Sequence, residues 1–220
     1  MRAIVIGATG LTGGLLLNQL LQDDAFTHIK LVLRRPVERL RPKLEQVLIN
    51  FEDETAFKNA ISHADVLFCC IGTTQKKVKG DRAAYRKVDF DIPVRAARFC
   101  VEHNIQKYIM VSAVSANADS RNFYLQLKGE AEEAILSMRI DSIHIMRPSI
   151  LLGSRHESRL GEAIAKGLMQ FISFFLFGNM AKYKVIRAAD VAAAMRAAAK
   201  NPSKEKLIYN YREIMRIVPR

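Results

Sequence analysis

Tyr124 and Lys128 stand four residues apart in a segment, Arg121 to Met138, whose apolar spacing predicts a helix. On a helix that separation stacks the two side chains on one face, one turn apart. An ammonium beside a phenol stabilises the phenolate and draws the phenol's acidity down from about 10 towards a useful range. Such a pair can pass a proton to or from a carbonyl or alcohol oxygen while hydride moves to or from a nicotinamide. Ser112, twelve residues upstream of Tyr124, ends an apolar run. Its hydroxyl is expected at the carboxyl end of a strand, where ligands of such folds bind.

A second set of residues suits a phosphate rather than a proton. Gly7-Ala8-Thr9-Gly10-Leu11-Thr12-Gly13 lies between an apolar run and an amphipathic one. Gly7 permits the tight turn out of a strand, Gly10 allows backbone to approach a pyrophosphate, and Gly13 allows close helix–strand packing. The following helix opens with unpaired N–H groups and a partial positive charge. The next apolar run ends Leu33-Arg34-Arg35-Pro36. An acidic residue there would bond the ribose hydroxyls of NAD(H). Two guanidinium groups instead suit the 2′-phosphate of NADP(H).

These residues need a scaffold that delivers strand ends to one edge. Apolar runs predict strands at Arg2–Ile6, Ile29–Leu33, Gln46–Asn50, Asp65–Ile71, Lys107–Ser112 and Ser142–Arg147. Continuous Val/Ile/Leu runs, rather than alternation, are what a parallel sheet covered on both faces requires. Helices are predicted over Leu11–Leu21, Asp81–His103, Arg121–Met138 and Ala188–Lys200, with Asp91-Ile92-Pro93 kinking or restarting the second. The alternation implies an α/β Rossmann-type fold, doubly wound, with a mostly parallel sheet in a single domain of 220 residues. The stretch 151–180 differs in character, and reads either as a lid over the substrate cleft or as an ordinary core helix with its loop. Phe171–Phe177 in it can dock on lipid or another subunit, line an apolar pocket, or be core.

Composition narrows the setting. The net charge of +12 favours polyanions, but the basic residues lack the interleaved aromatics of a nucleic-acid platform, so nucleic acid is not an expected partner. The longest apolar run, Leu168 to Phe177, is about half the length of a membrane span, and membrane association is not expected. No N-terminal stretch has the form of a signal peptide, and three cysteines without ligand spacing fit a reducing cytoplasm. Dispersed histidines leave no metal site. Cys70 reads as a small buried hydrophobe or as a redox-sensitive thiol.

The order glycine turn, strand-end serine, Tyr-x-x-x-Lys resembles the short-chain dehydrogenase/reductases in their extended or atypical branch. Phe68-Cys69-Cys70-Ile71-Gly72-Thr73-Thr74, Phe123 to Glu130, and Arg147-Pro148 through Leu152 with Glu157-Ser158-Arg159 resemble the Tat-interacting-protein group of that branch. The resemblance implies NADP(H) binding by Gly7, Gly10, Leu11, Thr12 and Gly13, with Arg34 and Arg35 selecting the phosphate. It implies that Gly72 and Thr73 pass the nicotinamide ribose, that Lys128 reaches ribose hydroxyls, and that Pro148, Ser149 and Ile150 lie beside the nicotinamide amide. Ser112, Tyr124 and Lys128 match the catalytic set, with Ser115 a rival to Ser112 because Ala113 replaces a frequent second serine. Asn50 stands where many relatives carry an aspartate. The expected function is an NADP(H)-dependent oxidoreductase acting on a small-molecule carbonyl or alcohol. The alternative is an NADP(H)-sensing regulatory module with a protein partner.

Overall fold

The computed structural model describes residues 1–38, 41–74, 78–152 and 182–219. Residues 153–180 of the expected lid, with the Phe-rich run and Glu157-Ser158-Arg159, lie outside them. Seven parallel strands form the main sheet in the order β3-β2-β1-β4-β5-β6-β9. They are β1 (Arg2–Ile6), β2 (His28–Leu33), β3 (Leu44–Leu48), β4 (Val66–Cys69), β5 (Lys107–Val111), β6 (Ser142–Met146) and β9 (Lys206–Tyr209). A separate parallel pair joins β7 (Leu151–Leu152) to β8 (Ile186–Arg187).

Alternate residues of the central strands feed two cores, as the expected doubly wound sheet requires. Ala3 and Val5 of β1 pack with Leu16, Leu17 and Leu20 of α1 (Leu11–Gln22) and with Val191 and Met195 of α6 (Ala188–Lys200). Ile4 and Ile6 pack on the other face with Phe57 of α2 (Glu54–Ala60), Phe99 of α4 (Ile92–Glu102) and Ile135 of α5 (Phe123–Leu136). The alanine-rich α6 is bound to α1 by Gln19 Nε2 donating to the Ala189 carbonyl at 3.1 Å and by Arg196 at 2.8 Å from Asp23.

Three departures from the sequence reading have local causes. β3 starts and ends two residues earlier than expected, because the Asn50 side chain accepts from Glu52 N at 3.0 Å and turns the chain. The helix expected over Asp81–His103 is three pieces: α3 (Arg82–Arg86), a π-helical turn Lys87–Asp91, and α4, with Pro93 in its first turn. The edge strand β9, α2 and α7 (Tyr211–Ile217) were not anticipated. β9 is four residues long and half-exposed, so it lacks the apolar signature of the inner strands. Among the described residues no helix is long and apolar enough to cross a membrane.

Candidate active site

Strand order reverses between β1 and β4, and the turns leaving these two strands form the floor of the site. Gly7 has φ +83°, and a Cβ there would lie 2.6 Å from the Cys70 backbone. A Cβ on Gly13 would lie 2.2 Å from the Gly7 carbonyl oxygen, so α1 can approach β1 only through glycine. Gly10 is the N-cap of α1 and brings no side chain to it, whereas Asp53, Asp81 and Asn122 cap α2, α3 and α5. The first-turn amides of α1 are thus left for another acceptor, and the shape and polarity of this cradle fit a pyrophosphate. Leu11 is half-buried at the helix start and Thr12 is buried.

Ile6 pairs with Val32 in register, so Arg34 and Arg35 leave β2 beside this turn. Both are exposed, and neither is ion-paired with a described residue. Asn50 commits its carboxamide oxygen to the Glu52 amide.

The second wall descends from β4. Thr73 N donates to Asp89 Oδ2 at 2.8 Å, and Tyr85 donates its hydroxyl hydrogen to the Thr73 carbonyl at 3.1 Å. The other Asp89 oxygen lies 2.8 Å from Lys128 Nζ. Tyr124 sits one turn before Lys128 on α5, half-buried, its ring edge-on to Tyr85 with centroids 6.1 Å apart. The spacing of four residues brings Tyr124 and Lys128 to one helix face, next to the Gly72–Thr73 turn.

The electrostatics correct the expectation for Tyr124. Burial pushes its phenol above the ordinary tyrosine value, Lys128 opposes this, and Asp89 reinforces it. Burial pulls Lys128 down, but Asp89 and Tyr124 outweigh it and its amine is held above the ordinary lysine value. Asp89 offsets part of the lowering that Lys128 exerts on the phenol, and burial exceeds what is left.

Ser112 is held by structural partners. It is 5 % exposed, and its hydroxyl donates to Glu132, whose carboxylate is also held by Arg147 Nε at 3.0 Å. The hydroxyl thus braces β5 against α5 and β6. Ser115 is the partly exposed hydroxyl of this loop. It adopts φ +63°, an uncommon conformation for serine, and its oxygen is 3.0 Å from the Tyr183 hydroxyl. The loop is fixed on two sides, by Val114 N donating to the Pro148 carbonyl at 2.9 Å and Asn117 N to Leu125 at 3.1 Å. Pro148 is buried there, Ser149 donates to the Lys184 carbonyl, and Ile150 is exposed. Burial raises the Cys70 thiol, and its hydrogen points to Met195 Sδ at 3.9 Å, so it behaves as a small hydrophobe rather than a reactive thiolate.

Asp89, Tyr85, Glu132 and Tyr183 escaped sequence reasoning. One signal pointed to the first: a lysine on the buried face of a helix needs a carboxylate partner.

A parallel sheet whose strand order reverses beside a glycine turn, with a Tyr–Lys pair tied to the neighbouring strand end, defines a Rossmann-type dinucleotide-binding protein. The chain belongs to the NAD(P)H-binding family, whose model matches residues 7–202. Protein HTATIP2 of Rattus norvegicus is 32% identical over 165 residues, covering 74% of this chain and 67% of that protein. The protein named FMP52, mitochondrial, of Eremothecium gossypii is 28% identical over 212 residues, 94% of this chain and 93% of its own. Among solved structures, MoeE5 in complex with UDP-glucuronic acid and NAD superposes with a TM-score of 0.72 at 15% identity, covering 96% of this chain and 76% of that one. A UDP-N-acetylglucosamine 4-epimerase from Methanobrevibacter ruminantium gives 0.70 at 14% identity, covering 95% and 76%.

Proposed function

We propose that the chain is an NADP(H)-dependent oxidoreductase that reduces a carbonyl of a small molecule, or oxidises the corresponding alcohol. The observation that carries this is the Tyr124–Lys128–Asp89 set bonded to the turn after β4, directly across the strand-order reversal from the glycine cradle. Gly7, Gly10, Leu11, Thr12 and Gly13 would hold the pyrophosphate and Arg34 and Arg35 the 2′-phosphate, with Gly72, Thr73, Lys128, Pro148 and Ile150 along the nicotinamide half. The bound nicotinamide supplies or accepts hydride. Tyr124 donates its phenolic proton to the carbonyl oxygen in reduction and recovers it from solvent. Lys128 steadies the phenolate left behind. Ser115, partly exposed and backed by Tyr183, replaces Ser112 as the hydroxyl that orients the substrate oxygen. The nucleotide sugars bound by the structural neighbours support a small-molecule substrate. A cytoplasmic setting belongs to this reading, supported by three free cysteines; the fungal relatives are named mitochondrial, and cell fractionation decides.

Fluorescence titration with NADPH and NADH, followed by a carbonyl panel on the parent and Tyr124→Phe, tests the reading. NADPH-dependent turnover lost in the variant, with binding kept, supports it. Neither nucleotide binding would sink it. Two features favour a second reading, an NADP(H)-responsive module for a protein partner: Ser112 is engaged structurally and the phenol is held less acidic than in solution. Tight NADPH binding without turnover on the panel, together with a nucleotide-dependent partner, would select it.

A further inference from the structure

Of the arginines on α3 and α4, Arg82 alone is ion-paired with no described residue. Arg86 lies 3.0 Å from Glu130, and Arg95 and Arg98 both reach Glu54. The Arg82 guanidinium instead lies over the Phe123 ring, 5.0 Å from its centre. Phe123 precedes Tyr124 at the start of α5, and the buried Tyr85 ring meets both of them edge-on, with centroids 5.9 and 6.1 Å apart. An exposed cation is thus held at the Tyr124 side of the site by an aromatic stack and not by an acid.

The Ser115 side is cationic as well. The Ser115 hydroxyl is 3.0 Å from that of Tyr183, and Lys182 Nζ lies 5.2 Å from the centre of the Tyr183 ring. The Ser115 bond, with Lys182 behind it, draws the Tyr183 phenol below the ordinary tyrosine value. The acids that share these elements are already engaged. Asp89 is set against Lys128, Glu130 against Arg86 and Glu132 against Arg147, while Asp81 accepts the first amides of α3. A guanidinium stacked on a ring keeps its N–H edge free, and that edge takes a carboxylate or a phosphate through two parallel hydrogen bonds.

We infer that the substrate carries an oxyanion group, a carboxylate or a phosphate, beside its carbonyl part, and that Arg82 is the specificity-determining residue that receives it. Lys182 adds attraction from the Ser115 side. This rests on reading Tyr124 and Ser115 as the groups that meet the substrate carbonyl. A neutral carbonyl compound leaves the Arg82 donors to water, whereas an anionic one gains both affinity and a faster approach.

Three aldehydes of one reacting group and different charge test this with NADPH: 4-carboxybenzaldehyde, 4-formylphenyl phosphate and the neutral methyl 4-formylbenzoate. The expected result is a kcat/KM at least about tenfold higher for one or both anions than for the ester, and the faster anion identifies the group received. Arg82→Gln is expected to remove most of that advantage while changing the ester by less than about twofold. An ester turned over as well as both anions overturns the inference and leaves the proposed function standing. So does an Arg82→Gln variant that keeps the full preference, or one that lowers all three substrates alike. A parent that turns over none of the three counts against the proposed function, and calorimetry on the NADPH complex then decides the inference. Tighter binding of an anion to the parent than to Arg82→Gln supports it, and equal binding overturns it.

Discussion

A phenol set between a lysine and a carboxylate inside a protein answers to opposing influences, and at Tyr124 burial and Asp89 together exceed Lys128. The form that donates a proton therefore persists across neutral pH. Reductive kcat/KM is expected to stay flat through neutrality and to fall only above the ordinary tyrosine range near 10, as the phenol ionises. A pH–rate profile with its alkaline limb well below that range would contradict the assignment. Tyr124→Phe should lower turnover by about a hundredfold or more while changing NADPH affinity by less than about twofold, under 0.5 kcal/mol. Arg34→Ala and Arg35→Ala should each weaken NADPH by about tenfold and leave NADH unchanged, a contrast that parallel titrations read directly. At this scale the sequence was legible wherever spacing carries the meaning, as in Gly7–Gly13 and Tyr124–Lys128. It was illegible where a partner arrives from a distant element. Nothing near Ser112 announces Glu132, twenty residues on, and the buried Lys128 calls for a carboxylate without saying which one.

Helices carry these residues, and their placement depends on close approaches that tolerate no added atom. A Cβ on Gly129 would fall 2.2 Å from both Ala118 N and Asn117 C, so α5 rests directly on the loop that bears Ser115. Gly129→Ala must force helix and loop apart and is expected to cost about 1–3 kcal/mol of stability. Because the strain falls between Ser115 and Tyr124, turnover should drop more than NADPH affinity. Thermal melts beside nucleotide titrations check both parts, and an unshifted melting temperature would reject the argument. The inner strands were readable because burial on both faces writes a continuous apolar run. The break at Lys87–Asp91 was readable only in part. Pro93 signals a restart of the helix, but no residue type encodes the π-helical turn that rotates Asp89 towards Lys128.

Across the whole molecule, β6 and β9 are joined not only by their ladder but by a buried polar relay. His144 Nε2 lies 2.9 Å from Ser142 Oγ, and Nδ1 lies 2.8 Å from the Tyr209 hydroxyl. Burial, and secondarily Lys107, pulls the His144 pKa down to about 4. An unfolded histidine titrates near 6.5, so between these values the unfolded chain binds a proton that the folded chain refuses. Stability is therefore expected to be full above about 6.5 and to fall by up to about 3 kcal/mol as pH drops towards about 4. Denaturant titrations across that interval on the parent and His144→Gln test this, and equal pH dependence in both would remove His144 as the cause. The reversal of strand order has a broader consequence. The groups assigned to the adenine half of the cofactor, Gly7 to Gly13 with Arg34 and Arg35, all precede β4, and Thr73, Asp89, Tyr124 and Lys128 all follow it. The two sets meet along the Ala3↔Val66 to Ile6↔Cys69 pairing and at the Gly7–Cys70 approach beyond it. Under the proposed function, coenzyme choice and reaction type are expected to be separable: retuning the two arginines of the first half should leave the chemistry of the second half in place.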